Sequence, residues 1–229
     1  MLSGLAIRAL QPLLALGMEV AQPRLEPLFE PAHHHARLEA YDALKLAGLN
    51  GRTDVDLLVV IDYDRPSYER RMSIYERGTC PIRRCLVSHG RGSSSECKLF
   101  ACDFSNIPGS NATSLGLFSI GRDRPSAKFG RSIELEGLQP GLNHLAKPRT
   151  IVIHPAWYVS YGVIRQNCDE ESRPRLGQSK GCPALTAADF KFLLQRIREV
   201  KRVGGRVFLY AYSQRGGSGR ALGKSDGQH

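Results

Sequence analysis

Apolar and polar positions alternate along the chain in a way that predicts a β-rich domain with few helices. The run "LLVVI" from Leu57 is continuously apolar and ends β-branched before "DYDRPS" breaks it, the pattern of a strand buried on both faces. The next stretch, "RRMSIYERGTCPIRRCLVSHG", predicts two strands joined through Arg77-Gly78-Thr79 as a hairpin, the second ending at His89. "TSLGLFSIG" and "RSIELEGL" alternate as strands do, and "NIPGSN", "LQPGLN" and "AKPR" are turn material. "TIVIHPAWYVS" reads as a buried strand stopped by Pro155, and "RVFLYAY" as a closing strand.

Two segments carry the helical period instead. Residues 33–47 place Leu38, Tyr41 and Leu44 at helical spacing with Gly48 as the stop. The clearer helix begins at Thr186, where Thr-Ala-Ala-Asp is a capping-box variant, and runs through the stripe Phe190, Leu193, Leu194, Ile197 to Gly204-Gly205. Lys201 and Arg202 suit its negative end. No internal repeat is visible.

Composition bounds the class. At 229 residues, 41% hydrophobic and 24% charged, the chain has the make-up of one folded domain with appendages. The formal charge of +10 implies anionic partners, yet arginines stand singly or in pairs such as Arg70-Arg71 and Arg83-Arg84. The dense basic run with interleaved aromatics that marks a nucleic-acid groove is missing, so nucleic acid is not the expected partner. Residues 1–21 read either as a short secretory signal or as an N-terminal helix; Arg8 and Pro12 interrupt the apolar run. No stretch reaches the ~18 uninterrupted apolar residues of a membrane span. The resulting organisation is a candidate signal peptide (1–21), a helical segment (30–50), a main domain (51–213) and a basic glycine-rich tail (214–229).

Candidate chemistry centres on "GQSKGCPAL". Cys182 lies between Gly181, which permits unusual dihedrals and close approach, and Pro183, which stiffens the chain just after the thiol. A cysteine is nucleophilic as thiolate, so it needs a base or a positive environment. His154 ends an apolar strand, where rigid placement favours acid–base work. The three adjacent histidines 33–35 point in different directions on a helix, which makes a solvated helix start the better reading than a metal site.

"IVIHPAWYVS" followed by "GQSKGCPAL" resembles the signature of the L,D-transpeptidase catalytic domain, and most closely its murein L,D-transpeptidase branch with Gly-Cys-Pro-Ala-Leu. "VVIDYDRPSYERRM", "LVSHGRGSSS", "FSNIPGSNATSLGLF", "LEGLQPGLN" and "RTIVIH" agree in order, so the resemblance runs from about residue 55 to 213. It implies a mainly β (α+β) sandwich of mixed sheets with a few peripheral helices. It also implies cysteine acyl transfer on peptidoglycan stem peptides in the periplasm or cell envelope, without metal or organic cofactor. Carried over by position, Cys182 is the nucleophile, His154 the general base, Gly181 and Cys182 the oxyanion-hole amides, and Ser179 a hydrogen-bonding support. His89, Arg91 and Lys180 are the candidate substrate-binding residues, His89 having a structural hydrogen bond to a turn as its alternative. Two features depart from the family pattern: Lys180 stands where histidine is usual, and His154 and Cys182 are 28 residues apart (182 − 154), a longer interval than usual. Lys180 either helps to hold the thiolate or faces water. A non-catalytic wall-binding protein on the same fold is the rival reading.

The other cysteines include two C-x4-C pairs, Cys80/Cys85 and Cys97/Cys102. Disulfides of an oxidising envelope and unpaired thiols are both compatible with that spacing.

Overall fold

The structure is a computed structural model describing residues 31–50, 54–77, 80–94, 98–168 and 174–215. The candidate signal peptide (1–21), the tail beyond Arg215 and Cys97 lie outside the described residues. Its elements in chain order are α1 (Pro31–Leu46), β1 (Leu57–Asp62), β2 (Met72–Glu76), β3 (Pro81–Cys85), β4 (Gly116–Ser126), β5 (Gly130–Gly137), β6 (Val152–Pro155), α2 (Tyr161–Gln166), β7 (Ala184–Leu185), α3 (Ala187–Arg202) and β8 (Val207–Tyr212).

The fold class read from the sequence holds: a large mixed sheet with few helices. The eight strands form one continuous ladder in the order β3-β2-β1-β8-β4-β5-β6-β7, where separate sandwiched sheets were expected. β1/β8 and β6/β7 are parallel and the other described pairs antiparallel. Alternate residues of β1 enter two cores, as its unbroken apolar run requires. Leu57, Val59 and Ile61 join β4, β5, β6 and the α3 stripe Phe190, Leu193, Leu194 and Ile197, so both halves of the sheet contribute to one interior. Leu58 and Val60 pack with Phe208 and Tyr210 against α1 on the other face.

α1 buries a different stripe from the one its large residues suggested. Ala36, Ala40, Ala43 and Leu44 meet the sheet, whereas Leu38 is 45% exposed. Small side chains let the helix approach the large aromatics of β8, so those aromatics, with Leu44 as the one large residue of that stripe, fill the layer. His34 lies near Arg37, and His35 pairs with Glu39 and stands edge-on to Tyr212, so the two described histidine side chains turn to separate partners.

The β2/β3 hairpin forms, but β3 ends at Cys85, short of the expected His89. The chain from Ser88 to Gly90 turns instead toward the segment around Cys182, where Ser88 N–H donates to the Ala184 carbonyl and Gly90 bridges Ser179. At α3, Thr186 Oγ1 accepts from the Asp189 N–H at 3.0 Å, which is the cap the sequence predicted. Two short elements went unread: α2, capped by Ser160, and the two-residue β7.

Candidate active site

β7 brings the cysteine turn to the strand end that bears His154. Its parallel register sets His154 opposite Ala184 and Pro155 opposite Leu185, with the His154 N–H directed to the Pro183 carbonyl at 3.4 Å. Paired strands lie ~4.8 Å apart, so this register carries Cys182, two residues upstream of Ala184, to the side of β6 that bears His154. Both side chains line one groove of about 510 Å³, together with Lys128, Phe129, Arg149 and Tyr158. Pro108, Gly109 and Asn111 form part of its wall, and Ser179 and Lys180 part of its rim.

The turn bearing Cys182 is closed by its own side chains. Ser179 Oγ donates to the Cys182 carbonyl at 2.6 Å and accepts the Gly181 N–H at 3.1 Å. Ser179 also uses its backbone, donating N–H to the His89 carbonyl and accepting the Arg91 N–H. Gly181 has φ +112°, and a Cβ there would lie 2.7 Å from the Ala112 carbonyl oxygen. Gly90 packs against it so closely that its own Cβ would be 2.8 Å from Gly181 Cα. Glycine is therefore required at 181 both for its backbone conformation and for the space.

This geometry alters one expectation. Gly181 was expected to offer its amide to an oxyanion, but that N–H already serves Ser179; among the described residues the Cys182 amide carries no such bond.

His154 is 2% exposed and its tautomer is fixed. Nδ1 lies 3.0 Å from the Pro155 carbonyl, which can only accept, so Nδ1 carries the proton and the Nε2 lone pair is left as the basic atom. Phe129 stacks on the ring with centroids 3.7 Å apart and planes 15° from parallel. Burial holds the His154 pKa below the ordinary imidazole value; the Pro155 carbonyl opposes this and Lys128 reinforces it. Burial likewise pushes the Cys182 thiol up, against the Val152 amide and the charges of Lys128 and Arg149. The resting pair is thus neutral thiol and neutral imidazole, with Sγ 3.8 Å from the Thr150 carbonyl. Such a pair can act as nucleophile and general base without a standing ion pair.

The candidate substrate-binding residues separate. Lys180 is exposed and borders the groove. His89 does not reach it: the residue is 1% exposed, with Nδ1 2.8 Å from Arg71 Nη2 and Nε2 3.0 Å from Ser94 Oγ. Since Arg71 only donates, Nδ1 accepts; burial first, and then the Arg71 charge, push the His89 pKa down to about 2. His89 is a buried neutral link, the structural alternative. Arg91 is exposed, does not line the groove, and supports the site through its backbone N–H. Both replace the expected direct contact with scaffolding, because the strand that was to present them ends four residues before His89.

Arg149, Lys128, Phe129 and Tyr158 were not singled out from the sequence. Arg149 stands inside the quoted "RTIVIH", and Lys128-Phe129 lie at the β4–β5 turn, where Gly130 has φ +72°. No local pattern connects that turn to a histidine 25 residues later (154 − 129). The described cysteines Cys80, Cys85, Cys102, Cys168 and Cys182 are free thiols, so the disulfide alternative is not realised among them. Burial raises the Cys85 pKa to about 12, which makes that thiol inert.

No curated protein matches the chain. Among solved structures, an L,D-transpeptidase from Mycobacterium smegmatis aligns at 12% identity and TM-score 0.38, covering 69% of this chain and 59% of that one. The helical cell shape determining protein Pgp2 from Campylobacter jejuni aligns at 16% identity and TM-score 0.42, covering 70% and 48%. An L,D-transpeptidase from Stackebrandtia nassauensis aligns at 14% identity and TM-score 0.38, covering 69% and 56%. The chain therefore spans about half to three-fifths of the length of these structures. The family model of the L,D-transpeptidase catalytic domain matches residues 29–210, a span containing every groove residue described above and every strand except the last two residues of β8, and the chain belongs to that family.

Proposed function

We propose that this protein is a cysteine acyltransferase of the cell envelope that acts on peptidoglycan stem peptides. The observation that carries the reading is the convergence of Cys182 and a tautomer-fixed His154 in one groove. In this reading His154 Nε2 accepts the thiol proton as Sγ attacks the carbonyl of the bond between the stem-peptide diamino acid and D-alanine. The Cys182 amide donates to the tetrahedral oxyanion, and the imidazolium returns its proton to the departing D-alanine amine. The remaining thioester is resolved by an amine of a second stem peptide, which forms a cross-link, or by water, which gives carboxypeptidase activity.

Phe129 covers one face of the imidazole and restricts water at the base. Among the described residues the groove lining includes Lys128, Arg149 and Lys180 and no acidic residue, which suits a donor with free carboxylates.

The test is intact-protein mass spectrometry after incubation with a carbapenem, which acylates the cysteine of this family. Wild-type protein gains one adduct, and Cys182→Ala gains none. An unmodified wild-type protein that still sediments with sacculi overturns the enzyme reading in favour of a wall-binding one.

A further inference from the structure

Arg149 is a cation held in place by neutral groups. Its Nη1 donates to the Ser105 carbonyl (2.7 Å) and to Ser114 Oγ (2.5 Å). Its Nη2 donates to Ser110 Oγ (3.2 Å) and to the Ala112 carbonyl (2.7 Å). All four acceptors are uncharged, and among the described residues no carboxylate pairs with this guanidinium. The contrast with Arg196, Arg198 and Arg131, each paired with Asp or Glu, is plain. Four hydrogen bonds occupy the four Nη donors and fix the plane, yet they leave the positive charge uncompensated.

That charge borders the groove containing Cys182. Thr150, the next residue, has φ +55° and presents its carbonyl to Sγ, so the backbone turn at 149–150 directs both groups toward the same space. The acceptors of Arg149 all lie in the 105–114 segment, and the Ala112 carbonyl among them is the atom packed against Gly181.

We propose that Arg149 is the fixed counter-charge of Cys182: it favours the anionic states of the site, thiolate and tetrahedral oxyanion, while clamping the 105–114 wall against the nucleophile turn. The inference rests on Cys182 being the nucleophile. Besides Arg149, the ionisable groups around Cys182 are Lys128 from the β4–β5 turn, His154 and Tyr158 from β6 and the loop after it, Lys180 in its own turn, and Tyr63 from the core against which Cys182 packs. His154 is neutral at rest and the tyrosines are uncharged at neutral pH. Lys128 stands at a hairpin tip and Lys180 is exposed, so solvent screens them more than it does a clamped, partly buried guanidinium. Charge from Arg149 reaches Cys182 with the least conformational averaging. Arg149 remains protonated throughout, and no proton passes through it.

The test is the pH dependence of Cys182 alkylation by iodoacetamide, followed by peptide mass mapping in the full chain. Arg149→Gln lowers the rate at pH 8 about tenfold, while the limiting rate at high pH stays near wild type. Arg149→Lys restores most of the pH 8 rate despite a lower melting temperature. The double variant Ser110→Ala with Ser114→Ala loosens the clamp but keeps the charge and both carbonyl acceptors, so its pH 8 rate falls by no more than about threefold. An unmoved profile in Arg149→Gln overturns the proposal. So does a tenfold displacement in Arg149→Lys or in the double serine variant, which decide the matter if Arg149→Gln does not fold. Alkylation needs no acyl donor, so the two readings fail separately. Loss of carbapenem acylation with these profiles as expected refutes the proposed function alone, and an unmoved Arg149→Gln profile with normal acylation refutes this inference alone.

Discussion

Substituting Gly181→Ala tests the site's construction most directly, because two independent restraints meet at that residue. Its φ of +112° lies where an L side chain strains the backbone, a penalty of about 1–3 kcal/mol. The new Cβ would also lie 2.7 Å from the Ala112 oxygen and 3.3 Å from Ile151 Cδ1. The methyl group of Ile151 can move, but the oxygen is backbone and is held by Arg149 Nη2 at 2.7 Å, so overpacking adds about 1–3 kcal/mol. Because one shift of the turn relieves part of both, the expected loss is about 3 kcal/mol, read from urea unfolding at pH 7. That shift also moves Cys182 away from His154, so carbapenem acylation falls at least tenfold in the folded variant. Gly141→Ala is the control: φ is +76° with nothing within 4 Å of the added Cβ, so it should lose about 1 kcal/mol and acylate normally. A Gly181→Ala protein no less stable than Gly141→Ala, with acylation within twofold of wild type, would refute the geometry described for the nucleophile turn.

Two further outcomes follow from buried titrating groups. Burial raises the Asp62 pKa to about 6, so between about pH 4 and 6 the folded state keeps a proton that the unfolded chain has released, and stability falls as pH rises through that window. The penalty is fully present above about pH 6 and absent below about pH 4, with a ceiling of about 3 kcal/mol. Asp62→Asn should therefore be as stable as wild type at pH 4 and more stable at pH 7.5 in urea unfolding; a pH-independent difference contradicts this. Phe129→Ala admits water to the His154 ring, weakens the burial that depresses its pKa, and should move the acid limb of the Cys182 acylation profile to higher pH, with slower reaction near pH 6. An NMR titration in which the His154 resonance keeps its wild-type midpoint rules that out.

What the chain determines alone is local. The two-sided apolar run of β1, the β2/β3 hairpin and the capped stripe of α3 are each written in contiguous residues, and each forms. Periodicity and caps act over a few residues, which is why they are legible. Cys182 and His154 were also readable as candidates, since a thiol between glycine and proline and a histidine at a strand end are local features too.

Tertiary structure decided the rest. β7 is two residues long, below what any pattern can mark, yet its register with β6 sets the cysteine turn against the strand end that bears His154, so both side chains line one groove. The proton position on His154 comes from the Pro155 carbonyl, and its depressed pKa from burial under Phe129. The large residues of α1 suggested that Leu38 would face the core, but the bulky aromatics of β8 occupy that layer, and three alanines and Leu44 meet them. His89 reads from sequence as a groove residue because it follows an apolar run; the early end of β3 instead seals it against Arg71. Register, burial and charge compensation depend on which distant segments pack together, and residue order alone does not state them.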